Sequence, residues 1–258
     1  MKQFTNIINE FVNKMGYDNN SKIEGIIFYG SNQTGFSNDF SDLDLHIIFN
    51  NDLEEEIRGS ALIDGIRIEY FEKTLLSMYK KSLNEFKNQS NAVVSMILYG
   101  NIILDKNGKI AQLQEYIRNL YSLPMPCMDE EKAKEQIAII NNFIDDLTNL
   151  VATNDLYTNH VFHLTLERIK DFYYSFYGLP GIARTKTLKV IENDEYRNAI
   201  KKENPDTTFI EYYKYLLNES ISVKDKMSIL TEFLEYCTRD IDFNKYEHRI
   251  VISKKKTL

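Results

Sequence analysis

Apolar residues follow two regimes along the chain. In the first half, short runs rich in Ile, Phe and Tyr are separated by polar loops; from Asp129 onward, apolar positions recur every three or four residues. Phe4, Ile7, Ile8, Phe11, Val12 and Met15 have helical spacing, and Gly16 follows as a natural stop. Ile23 to Tyr29 and Leu43 to Phe49 read as strands flanking a loop of Gly, Ser, Asn and Asp. Asp64-Gly65 between Ser60–Ile63 and Ile66–Glu72 predicts a hairpin, in which Ile66, Ile68 and Tyr70 alternate with Arg67, Glu69 and Phe71. The acidic stretch from Asn50 to Arg58 reads as a solvated turn or short helix. Helices are expected at Lys73–Phe86, Ala92–Tyr99 and Lys109–Leu120, with a short strand at Ile102–Leu104 and a turn shaped by Asp105.

Pro124 and Pro126 interrupt this pattern and mark a linker. Beyond it, Asp129 is suited to cap a long helix whose stripe is Ile137, Ile140, Ile144, Leu147 and Val151. Further helices are expected at about Leu156–Tyr177, Arg184–Ala199, Thr207–Asn218 and Val223–Cys237. The expected architecture is a mixed α/β domain over residues 1–121, then an all-helical domain over residues 122–258, with the active site in the cleft between them.

Composition narrows the function classes. At 258 residues and 43% hydrophobic content, the chain can bury a substantial core. A net charge of −7 gives no broad basic footprint of the kind that nucleic-acid binding usually needs, which leaves a local basic groove as the route to such binding. Cys127 and Cys237 are far apart without metal-ligand spacing, which points to incidental thiols and a reducing cytoplasm. His160 and His163 lack a partnering ligand pattern and read as packing or surface residues. With no run near ~18 apolar residues and no leader-like start, a soluble, cytoplasmic protein is expected.

Chemistry concentrates between Ile23 and Phe49. Strand alternation puts Asp42 and Asp44 on one face and Leu43 and Leu45 on the other. Paired carboxylates suit a hard divalent cation, since Mg²⁺ is typically held by one or two carboxylates together with substrate phosphates. Gly30 permits close backbone approach, so the Gly30-Ser31 turn can offer N–H groups and a hydroxyl to a phosphate.

Gly30-Ser31, ten intervening residues and then Asp42-Leu43-Asp44 resemble the signature of the DNA polymerase beta-like nucleotidyltransferase superfamily. The likeness to its small bacterial members extends over Gly30, Ser31, Gly35, Ser41, Asp42, Asp44 and Leu45; Thr34 stands where many relatives carry Arg. The resemblance implies transfer of a nucleoside monophosphate from an NTP, ATP first, to an acceptor hydroxyl. It assigns Asp42 and Asp44 to two Mg²⁺ ions and Gly30 and Ser31 to the β- and γ-phosphates. It also implies a third carboxylate on the following hairpin, which is Glu69; Glu72 has the opposite parity. Two roles remain open for Glu69. A Mg²⁺-bound carboxylate is a poor base, whereas one standing off the metal can take the acceptor hydroxyl's proton.

In the helical half, Leu164-Thr-Leu-Glu-Arg168, Gly178, Thr185-Lys186 and Tyr196-Arg197 resemble the C-terminal domain of aminoglycoside adenylyltransferases. That resemblance implies a Lys186 contact with the triphosphate and acidic helical residues facing the drug. The first expectation is therefore an antibiotic-resistance enzyme modifying an aminoglycoside or lincosamide. The alternatives are a toxin-like nucleotidyltransferase acting on tRNA or a protein, and a nucleotide-binding regulator without turnover.

Overall fold

A computed structural model describes residues 2–29, 42–51, 53–90, 92–182, 186–199 and 205–242. In chain order the elements are α1 (Lys2–Lys14), β1 (Ile23–Tyr29), β2 (Leu43–Phe49), β3 (Ile57–Ile63), β4 (Ile66–Thr74), α2 (Leu75–Lys87), α3 (Ala92–Tyr99), β5 (Asn101–Asp105), α4 (Lys109–Tyr121), α5 (Glu130–Thr153), α6 (Thr158–Phe176), α7 (Thr187–Glu192), α8 (Asp194–Ala199), α9 (Thr207–Leu217) and α10 (Val223–Cys237). They group into two compact units: Met1–Pro126 with Thr185–Glu203, and Cys127–Arg184 with Asn204–Leu258. The short helices α7 and α8 thus belong with the sheet, although they lie far along the helical half of the sequence.

The first unit is built on a mixed five-stranded sheet in the order β3-β4-β2-β1-β5. Among the described residues only β2 and β4 pair in parallel; β1 with β2, β1 with β5 and β3 with β4 are antiparallel. Strand alternation sorts two apolar faces. Ile26, Phe28, Leu43, Leu45, Ile47 and Ile68 pack against Ile7, Ile8, Phe11 and Val12 of α1. On the other face Ile27 and Ile48 meet Met78, Val94, Ile97, Ile110, Leu113 and Ile117 from α2, α3 and α4. Asp44 and His46 share the parity of Ile48 and so belong to the face that these three helices cover further along.

Local devices hold these elements. The β3–β4 hairpin turns through Asp64 and Gly65, with φ of 48° and 78°, the left-handed pair that a two-residue hairpin requires. At Gly25 a Cβ would stand 2.2 Å from Ile110 Cγ1 and 2.5 Å from the Leu104 carbonyl oxygen, so only glycine lets α4 and β5 approach β1 this closely. Thr74 caps α2 by accepting the Ser77 N–H. Buried Glu85 accepts the N–H groups of Val93 (3.1 Å) and Val94 (3.0 Å), satisfying donors at the start of α3.

Two expectations change. β4 runs to Thr74, so Lys73 is a strand residue and α2 begins only at Leu75. Residues 57 and 58 belong to β3 and not to a solvated turn, because the hairpin register carries pairing back to Ile57 opposite Glu72.

The second unit is helical. Asp129, Asp206 and Ser222 cap α5, α9 and α10 by accepting the N–H groups of Lys132, Phe209 and Asp225. Its core includes Phe162, Leu166, Ile169, Phe172, Phe209, Tyr213, Leu230 and Phe233. Inside it Glu167 accepts a 2.5 Å hydrogen bond from the Tyr213 hydroxyl and pairs with Lys170, which is 1% exposed. The aromatic run from Phe172 is core as expected, with Tyr173 and Phe209 ring centroids 4.2 Å apart. In the first unit, the described part of the helix expected over residues 184–199 is two short ones broken at Asn193, whose φ/ψ of −121°/102° is extended and whose side chain accepts the Tyr196 N–H. No helix among the described residues is long and apolar enough to cross a membrane.

Candidate active site

Strand register brings the candidate carboxylates together. β2 and β4 run in parallel with Asp44 directly beside Glu69, and Asp42 lies just before β2 begins. On the other flank Asp44 faces Tyr29, the last residue of β1. The three acids thus collect at one end of the parallel strand pair. The sheet underneath them is closed by His46, which is buried, stacked on Phe71 (centroids 5.0 Å apart) and 3.3 Å through Nε2 from Met96 Sδ. Burial pushes the His46 pKa down to about 4, with the Lys73 charge adding to the effect, so the ring is neutral.

Electrostatics mark Asp44 as the strained member. Burial pushes its pKa up to about 6, and the negative charges of Glu69 and Asp42 push the same way. Lys186 and Arg58 act against that rise. Lys186 is therefore within electrostatic reach of Asp44, brought there by the segment that returns to the first unit. The same segment supplies Tyr196; burial raises the Tyr29 pKa to about 12, and charge interactions with Tyr196, Tyr99 and Asp44 push the same way.

Two arginines complete the cluster. Glu69 accepts from Arg58 Nη2 at 2.9 Å on one oxygen and from Arg67 Nη2 at 3.1 Å on the other. Arg67 Nε also stands 3.8 Å from Asp42 Oδ2. Arg58 comes from β3, where it sits opposite Phe71 and reaches Glu69 diagonally; its guanidinium lies 5.3 Å from the Phe71 centroid. The pairing of Glu69 with Arg67 follows from their shared parity. Arg58 escapes sequence reasoning, since residues 50–58 look like a turn; carrying the hairpin register back from Asp64-Gly65 is the signal that finds it.

Other candidates resolve differently. Gly30, Ser31, Gly35 and Ser41, with Thr34, lie outside the described residues. Glu72 sits on the α1 face, buried, and accepts a 2.5 Å hydrogen bond from the Tyr17 hydroxyl. Asp105 caps α4 through the N–H groups of Ile110 and Ala111. His160 and His163 are exposed. Among the described residues no group of three His, Cys, Asp or Glu side chains is arranged to hold a metal. Asp42 and Asp44 nonetheless suit a divalent cation: both offer hard oxygen donors, and the charge that raises the Asp44 pKa is one that a cation would offset.

A mixed sheet with clustered acids at one end of its parallel pair, followed by a helical region, is the frame of a nucleotidyltransferase. The chain belongs to the nucleotidyltransferase domain family, whose model matches residues 8–145, more than half of its length. It is thus a transferase of nucleotidyl groups, in a family that generally uses a nucleoside triphosphate and a divalent metal. Among solved structures, a crystal structure of a nucleotidyltransferase-like protein from Exiguobacterium sibiricum 255-15 is 14% identical, with a TM-score of 0.48 over 92% of this chain and 74% of that one. No curated protein matches the sequence.

Proposed function

We propose that the protein transfers a nucleoside monophosphate, AMP from ATP first, to a hydroxyl of a small cationic acceptor of the aminoglycoside or lincosamide type. The observation that carries the catalytic part is the register of β2 and β4, which sets Asp44 beside Glu69 with Asp42 adjoining. Asp42 and Asp44 would hold two Mg²⁺ ions, which when bound polarise the transferring phosphoryl group and stabilise the attacking and leaving oxygens.

The chain's own residues do the rest. Lys186, within electrostatic reach of Asp44, is a triphosphate ligand that adds positive charge where pyrophosphate leaves. Gly30 and Ser31 cradle the β- and γ-phosphates. Glu69 either takes the acceptor hydroxyl's proton or joins the metal ligands; Arg58 and Arg67 engage both its oxygens, so in either role one of the guanidinium groups must give way. A net charge of −7 favours a cationic acceptor.

An ATP-consumption screen over aminoglycosides, lincosamides, tRNA and protein lysate tests this reading. Turnover with an aminoglycoside or lincosamide is the expected result; turnover with tRNA or lysate alone would assign the acceptor to a macromolecule.

A further inference from the structure

Arg67 occupies an odd position for a residue beside a cation site. It precedes Glu69 by two residues on the same strand face, so the parallel pairing of β2 and β4 sets its guanidinium between Glu69 of β4 and Asp42, just ahead of β2. Its contact with Glu69 is a good charge-assisted hydrogen bond at 3.1 Å, but the 3.8 Å approach to Asp42 is beyond hydrogen-bonding range. The Asp42 contact is therefore the cheaper one to give up. Its side chain is 56% exposed, which leaves the guanidinium room to swing. Glu69 stays anchored if Arg67 leaves, because Arg58 binds the other oxygen at 2.9 Å while its guanidinium packs near the Phe71 ring.

We propose that Arg67 competes with the divalent cation for the acidic cluster: in the nucleotide-free enzyme its guanidinium neutralises Asp42 and Glu69, and a cation binding Asp42 and Asp44 displaces it. The inference rests on the reading of Asp42 and Asp44 as the metal pair. Free cation then binds weakly, because it must expel a positive charge. Cation accompanied by a triphosphate binds well, because the expelled guanidinium gains an anionic oxygen to pair with, the geometry for which arginine is suited. Arg67 is in this sense a positioning residue that couples metal entry to nucleotide entry.

The test is Mn²⁺ binding to the nucleotide-free protein, followed by loss of the free-ion electron paramagnetic resonance signal, for wild type, Arg67→Gln, Arg58→Gln and Asp42→Asn, each checked for folding by circular dichroism. Arg67→Gln is expected to bind Mn²⁺ roughly tenfold more tightly than wild type, the scale of one unit charge acting on a divalent ion a few ångströms away through solvent. Arg58→Gln should gain less, since Arg58 hydrogen-bonds Glu69, which lies outside the proposed metal pair, and a non-hydrolysable ATP analogue should narrow the wild-type deficit. Equal or weaker Mn²⁺ affinity in folded Arg67→Gln overturns the competition; if Asp42→Asn still abolishes binding, the metal pair survives that failure. Absence of Mn²⁺ binding in all four proteins overturns both.

Discussion

Replacing Asp44 by Asn should stabilise the metal-free protein at neutral pH while destroying its response to metal and nucleotide. In the folded chain the Asp44 carboxyl titrates at about 6, against about 3.9 in an unfolded one. The folded state therefore binds the proton more tightly. Stability rises as pH falls through the window between those values, and at pH 7 the full cost of holding the charge is present. Two pKa units correspond to roughly 3 kcal/mol. Asp44 is only part buried, so solvent screening reduces this to about 1.5 kcal/mol. Asn removes that cost, and for a unit of this size the melting temperature should rise by about 3–6 °C. Differential scanning fluorimetry in EDTA at pH 7 reads the effect, and the gap should shrink as pH is lowered toward 4. Adding Mg²⁺ with an ATP analogue should raise the melting temperature of wild type but not of Asp44→Asn. A variant that is less stable than wild type in EDTA, or that gains as much from Mg²⁺ and nucleotide, would refute the reasoning.

Other outcomes follow from particular contacts. Tyr17→Phe leaves the buried Glu72 carboxylate without its phenol partner and should cost about 1–3 kcal/mol in chemical denaturation, with kcat unchanged because that pair lies on the α1 face. Gly25→Ala drives a methyl group into Ile110 and the Leu104 carbonyl, and should lower stability by about 1–3 kcal/mol or more in the same assay. Glu69→Gln should lower kcat by roughly 10² to 10⁴ at unchanged Mg²⁺ requirement if Glu69 is the base; recovery by excess Mg²⁺ would instead make it a metal ligand. Lys186→Ala should raise the KM for ATP several-fold, read by initial rates, and an unchanged KM would remove Lys186 from the triphosphate site.

Much of the sheet was legible because it depends on short-range pattern. Alternation at Ile66–Phe71 and the Asp64-Gly65 turn identify the hairpin, and the parity of Asp42, Asp44 and Glu69 separates them from the face that packs on α1. What alternation cannot convey is which strands are neighbours. The parallel pairing of β2 with β4, which puts Asp44 beside Glu69, is a long-range choice reached through the hairpin. Arg58 was hidden for a related reason, its segment being polar and its strand character arising only from pairing with β4. The return of α7 and α8 to the first unit has no local signature, since their apolar positions look like those of any helix.

The position of the transferred label tests the central claim most directly. Enzyme, Mg²⁺ and an acceptor from the responding class are incubated in parallel with ATP labelled at the α- or the γ-phosphorus, and acceptor and released phosphates are separated. A nucleotidyltransferase built on Asp42 and Asp44 moves the α label to the acceptor and releases the γ label as pyrophosphate, and Asp42→Asn does neither. Appearance of the γ label on the acceptor, or undiminished α transfer by folded Asp42→Asn, would contradict the account.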